Sequence, residues 1–147
     1  MLYGGTVTPA NPTKYTVESL DITLNNPTRE GYTFQGWSGT GLDGDTNKNV
    51  TIVSGSIGNR EYTANWNINQ YTISFESNGG SAVGSITQDY ATTVTKPSDP
   101  IKANYDFKGW YRDNTTFNNA YTFDTMPAEN FTLYAKWTLT EYTITYI

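Results

Sequence analysis

The chain has 147 residues, and its nine Lys plus Arg against fourteen Asp plus Glu give a formal charge of -5, leaving no clustered cationic face for a nucleic-acid backbone. Cys, His and the Gly-x-Ser-x-Gly pattern are all absent, which removes disulfides, thiolate metal sites and the usual nucleophile and base pairs, so no enzyme activity, metal or cofactor is expected. Twelve Tyr, six Phe and four Trp beside many Thr, Val and Ile favour strands, with at most a short helix per unit and no apolar run long enough for membrane insertion.

Met1-Leu2-Tyr3-Gly4-Gly5 lacks the basic and apolar regions of a signal peptide and reads as the edge of a longer protein. In Gly31-Tyr32-Thr33-Phe34-Gln35-Gly36-Trp37, the residues Tyr32, Phe34 and Gly36 alternate with Thr33 and Gln35, the period of a strand with one buried face. Gly36 marks a bulge or a close backbone approach that lets the Trp37 indole turn inward. Asp43-Gly44-Asp45-Thr46-Asn47 opens like a calcium loop, but Lys48 and Ser54 stand where that loop needs Gly and Glu, so it reads as a solvated turn. Tyr62-Thr63-Ala64-Asn65-Trp66 reads as a further strand. After the short connector Asn67 to Gln70, Tyr71-Thr72-Ile73-Ser74-Phe75 runs into Asn78-Gly79, a strong hairpin signal.

The second half repeats the first. Asn104-Tyr105-Asp106-Phe107-Lys108-Gly109-Trp110 repeats the Tyr-x-Phe-x-Gly-Trp pattern, Leu133-Tyr134-Ala135-Lys136-Trp137 repeats the later strand, and Gly79-Gly80 and Pro100 match Gly4-Gly5 and Pro27. The expected organisation is a module over residues 2–66, a second over 71–137, and the first strand of a further copy over 141–147. Units of about 70 residues need their largest side chains inside, so the expected core is Tyr32, Phe34, Trp37 and Trp66 in one module and Tyr105, Phe107, Trp110 and Trp137 in the other.

Tyr142-Thr143-Ile144-Thr145-Tyr146 restates Tyr71 to Phe75, whereas the first module has no such strand ahead of Gly4. Joining Ile147 to Leu2 gives a stretch in register with Tyr71 through Gly80. An orphan strand and an incomplete sheet can satisfy one another, so Tyr142, Ile144 and Tyr146 are the expected donor residues in a head-to-tail contact between neighbouring chains. Lys96, Lys102, Lys108 and Lys136 are candidates for an isopeptide crosslink to Asn or Asp. Tyr90, Tyr111 and Phe117 are candidates for an aromatic contact patch.

Tyr71 through Gly80, Lys96-Pro97-Ser98-Asp99-Pro100, Tyr105-x-Phe107-x-Gly109-Trp110-Tyr111 and Leu133 through Trp137 together resemble the Listeria-Bacteroides repeat, the family that contains the internalin B-repeat. Gly4-Gly5, Pro27, Gly31 through Trp37 and Tyr62 through Trp66 resemble a variant of the same repeat. The resemblance implies β-grasp-like modules in tandem; together with the strand comparison above, the expected class is a β-rich α+β fold of two such modules, the first with its opening strand supplied by a neighbouring chain's C-terminal strand or left vacant. It further implies secreted or cell-wall-attached bacterial proteins in which such modules act as stalks, or as adhesive modules for host protein or glycan. It brings no catalytic residues.

Overall fold

The computed structural model describes all 147 residues, which form two compact units, Met1–Asn69 and Gln70–Ile147. In the first unit, β1 (Ile22–Thr23) pairs with β3 (Thr51–Ile52), and β2 (Tyr32–Gly39) pairs with β4 (Tyr62–Ile68), both antiparallel. The second unit contains β5 (Gln70–Glu76), β6 (Ile86–Asp89), β7 (Tyr105–Tyr111) and β8 (Phe131–Leu139), in the sheet order β6-β5-β8-β7. Its two central strands, β5 and β8, run parallel, and the outer pairs are antiparallel.

No helix forms, so the helical part of the expected α+β class is absent. The long link between β6 and β7 explains this for the second unit. Thr92, Thr93, Val94 and Thr95 are β-branched in succession, and Pro97 and Pro100 follow before a helical turn could establish itself. The link is tied down as an extended chain, with Val94 N donating to Asp124 O at 2.7 Å and Met126 N to Thr92 O at 2.9 Å.

Each unit has its own core. In the second, Ile73, Val94, Trp110, Met126, Leu133 and Ala135 are buried, with Phe75, Phe107 and Trp137 packed against them. In the first, Leu24, Trp37, Val50 and Ala64 are buried, with Leu2, Phe34, Tyr62 and Trp66 beside them. Tyr32 is only half-buried under the Arg29 guanidinium at 3.6 Å, and Tyr105 is exposed under Lys102 Nζ at 4.4 Å. Tyr105 therefore lies outside the core expected for it. It stands at the start of β7, opposite Leu139 at the end of β8, where the sheet frays beyond the core.

Alternation holds only as far as the glycine. Phe34 pairs with Trp66 and Gly36 with Asn65, so Gln35 is an extra residue, and the resulting bulge turns both Phe34 and Trp37 inward. Phe34 meets Trp37 and Trp66 edge-on, each at 5.5 Å between ring centroids. The second unit repeats the shift between Phe107 and Trp110, with Phe107 at 5.4 Å from Trp110 and 5.5 Å from Trp137.

The two glycines are needed for different reasons. A Cβ on Gly36 would lie 2.3 Å from the Thr46 carbonyl carbon, whereas one on Gly109 would meet only Tyr111 Cε2 at an ordinary 3.8 Å but would sit at a φ of +107°. The indole nitrogens also differ. Trp37 Nε1 donates to Asn26 Oδ1 at 3.0 Å, but Trp110 Nε1 is buried without an acceptor. Asp99 precedes Pro100 as Asn26 precedes Pro27, and its carboxylate pairs with Lys96 instead.

The Asn78-Gly79 turn forms, with φ of +50° and +86° and a Gly80 N to Ser77 O hydrogen bond of 3.0 Å. It does not close a two-residue hairpin. Ser81 N donates instead to Ile101 O at 2.8 Å, which draws the chain aside, and β5 pairs with β6 only from Ile73 opposite Ile86 back to Gln70 opposite Asp89.

Candidate strand-binding groove

The second unit shows how an opening strand is held. Within β5, Ile73 is fully buried, Phe75 lies edge-on to Trp110 at 4.8 Å, and Tyr71 lies edge-on to Tyr90 at 6.4 Å. Asn130 Oδ1 accepts from Thr72 N at 2.8 Å just before β8 begins. The strand ends in the Ser77–Gly80 turn, which Trp137 Nε1 secures by donating to Ser77 O at 2.8 Å. Gly80 is essential to this seat, since a Cβ there would lie 2.5 Å from the Trp137 ring.

The first unit opens with the same turn. Gly5 N donates to Leu2 O at 3.0 Å, Trp66 Nε1 donates to Leu2 O at 3.2 Å, and a Cβ on Gly5 would lie 2.5 Å from the Trp66 ring. Tyr3 and Gly4 adopt φ of +46° and +84°, close to the values at Asn78 and Gly79. Leu2–Gly5 is therefore the structural counterpart of Ser77–Gly80. Met1 adds one parallel bridge, with its ammonium donating to Tyr62 O at 2.6 Å and its carbonyl accepting from Ala64 N at 3.0 Å. Met1 thus stands opposite Thr63 as Glu76 stands opposite Tyr134.

Where the lane continues past Met1 lies a groove of about 780 Å³. One wall is the segment 12–17, the other is 56–62, and Ile22, Leu24 and Ile52 line it between them. In the second unit, β5 occupies the corresponding lane, flanked by β6 and β8. Val17 and Ile57 at the groove are 56% and 78% exposed, so apolar surface is open to water on both walls. Tyr15 on the first wall donates to Gly58 O on the second at 2.5 Å and accepts from Arg60 Nε at 3.1 Å. That hydroxyl is the leading reason the Arg60 guanidinium sits above its ordinary value.

The predicted donor residues lie apart from any sheet. Tyr142, Ile144 and Tyr146 are 76%, 79% and 90% exposed, and residues 141–147 form no strand. Tyr15, Gly58 and Arg60 escaped the sequence reading, although one signal was present: Tyr15 follows Gly5 by the same ten residues that separate Tyr90 from Gly80.

The remaining candidates do not assemble a chemical site. No group of three or more Asp or Glu side chains could hold a metal ion, and in the Asp43–Asn47 loop Asn47 Nδ2 donates to Trp37 O at 3.0 Å and Asp43 O at 2.9 Å. Lys96 and Lys108 pair with the exposed carboxylates Asp99 and Asp106, Lys102 Nζ donates to Asn78 O at 3.0 Å, and Lys136 lies over the Tyr111 ring. None of the four meets an Asn or Asp side chain backed by a second carboxylate. Asp113 organises the loop after β7, accepting from Thr116 Oγ1 at 2.6 Å and Asn119 N at 3.0 Å, and these bonds hold its carboxyl down at about 2. Tyr111 lies edge-on to Phe117 at 5.5 Å, and both are half-buried.

Residues 71–136 match the Listeria-Bacteroides repeat domain, and residues 3–70 match the divergent InlB B-repeat domain. The chain is 41% identical over 121 residues to a protein of Evansella cellulosilytica named as a Gly-rich membrane protein, covering 80% of this chain and 14% of that one. It is 37% identical over 123 residues to Internalin H of Listeria monocytogenes, covering 76% of this chain and 20% of the internalin. The chain thus spans a fifth or less of the length of these relatives. Repeated turn, repeated bulge and repeated Phe–Trp packing agree with both matches, and the chain belongs to the Listeria-Bacteroides repeat family, as a tandem of one such repeat and one divergent internalin-type B-repeat.

Proposed function

We propose that this chain is a non-catalytic spacer segment of a secreted or cell-surface bacterial protein, built from β-grasp-like modules without their helix. Its first module is completed by a donated strand, which for the 147-residue chain is Tyr142–Tyr146 of a second copy. The observation that carries this reading is the groove beside β4, which occupies the lane that β5 fills in the other unit.

Register supports the pairing. Residues 142–146 follow 71–75 by 71 positions, and 60–62 precede 131–133 by the same 71, so Ile144 would stand opposite Arg60 as Ile73 stands opposite Phe131, and Ile147 would reach the place opposite Thr63 that Met1 holds. Ile144 would then cover Leu24 and Ile52, and Tyr146 would approach Trp37 as Phe75 approaches Trp110. Connectivity gives the direction. One residue, Asn69, separates β4 from β5, so the chain leaves one module as the opening strand of the next, and residues 141–147 leave the second module in the same way. Such a contact is heterologous, and it propagates into a fibre or closes into a ring.

The relatives' names point to membrane and internalin proteins, which fits a role at the cell surface. The alternative, adhesion to host protein or glycan through Tyr90, Tyr111 and Phe117, has weaker support, because these rings pack against their own neighbours.

Sedimentation velocity over a range of concentrations tests the proposal. The parent chain should grow into larger species as concentration rises, while Ile144→Asp should stay monomeric throughout. A parent chain that remains a monomer at every concentration contradicts it.

A further inference from the structure

The geometry points to Tyr15 as the gate of the groove: its phenol bridges the two walls when the lane is open and must release them for a strand to enter. This rests on the donated-strand reading and adds how entry is controlled. Two strands that flank a third are about 9 to 10 Å apart, so a side chain hydrogen-bonded from one wall to the other crosses the lane itself. Tyr15 makes this crossing with two bonds, to Gly58 O at 2.5 Å and from Arg60 Nε at 3.1 Å.

The other unit shows the lane with its strand in place. Tyr90 follows β6 directly, and its ring stands edge-on to Tyr71 at 6.4 Å, with the opening strand running between the walls. By the register given above, Gly58 corresponds to Glu129 and Asn59 to Asn130, so the backbone of an incoming Tyr142 would pass beside Gly58, under the present Tyr15 bond. Asn59 would then be placed to accept from Thr143 N, as Asn130 Oδ1 accepts from Thr72 N. Tyr15 exchanges two polar bonds for an aromatic contact with Tyr142. The gate therefore favours donors with an aromatic residue two positions ahead of the buried Ile.

The rival account is that the Tyr15 bonds hold the walls at strand spacing and help binding. The two accounts predict opposite signs. The acceptor is the full chain carrying Ile144→Asp, which cannot donate, and the probe is a fluorescent peptide with the sequence of residues 140–147, followed by stopped-flow anisotropy. Tyr15→Phe keeps the ring and removes both bonds, and should speed association roughly fivefold. Arg60→Met removes one bond and should give a smaller gain in the same direction. If Tyr15→Phe leaves the rate unchanged or lowers it while the peptide still binds, the gate is wrong and the donated strand survives. If the peptide binds none of these chains, both ideas are wrong.

Discussion

At the scale of single residues, the Gly-Trp pairs show how much a local motif reveals. Reading Tyr-x-Phe-x-Gly-Trp in the sequence was enough to expect a bulged strand with an inward indole, and both copies have it. Which constraint each glycine answers was not legible. Gly36 is crowded by Thr46 and Asn47, a loop whose approach depends on tertiary folding, while Gly109 answers only to its own backbone angle. Gly109→Ala should therefore cost about 1 to 2 kcal/mol, the strain of a side chain at positive φ. Gly36→Ala should cost about 3 kcal/mol or more, because backbone and not a flexible side chain must give way. Urea unfolding followed by Trp fluorescence measures both, and equal costs would show that crowding at Gly36 is relieved.

At the scale of elements, the two units are closely related and unequally finished. The second has a four-stranded sheet around the fully buried Ile73, while the first has two separate strand pairs and a groove of mixed polar and apolar lining in place of the lane. Its buried core is slightly smaller, five hydrophobic residues against six, and no strand of its own fills the lane, so the first unit should unfold first. Dilute samples should melt in two steps, and Ile73→Ala should lower the upper one by removing about 2 to 5 kcal/mol. Ile144→Ala should leave both steps in place at the same dilution, since that side chain is 79% exposed. A single transition, or a loss of stability in dilute Ile144→Ala, would contradict this view of the units. The β5–β8 pairing that decides the difference was not visible in the sequence. Strands that pair in parallel about 58 positions apart leave no local signature, whereas the antiparallel β2–β4 and β7–β8 pairs announce themselves through matching aromatic alternation.

At the scale of the whole molecule, the repeat itself was the most legible feature, and the groove the least. The sequence predicted a missing strand by comparison of copies, but the walls come from segments 12–17 and 56–62, whose irregular Pro, Gly and Ser content carries no period. The donor strand can be located directly with a short bismaleimide crosslinker, because the chain has no native Cys. Two single-cysteine chains, Thr145→Cys and Glu61→Cys, correspond to the facing pair Ser74 and Thr132 in the second unit. Mixed, they should crosslink into a heterodimer in high yield, and the same chains carrying Ile144→Asp should not. A mixture that stays monomeric, or that crosslinks equally well with Ile144→Asp present, would contradict strand donation between copies.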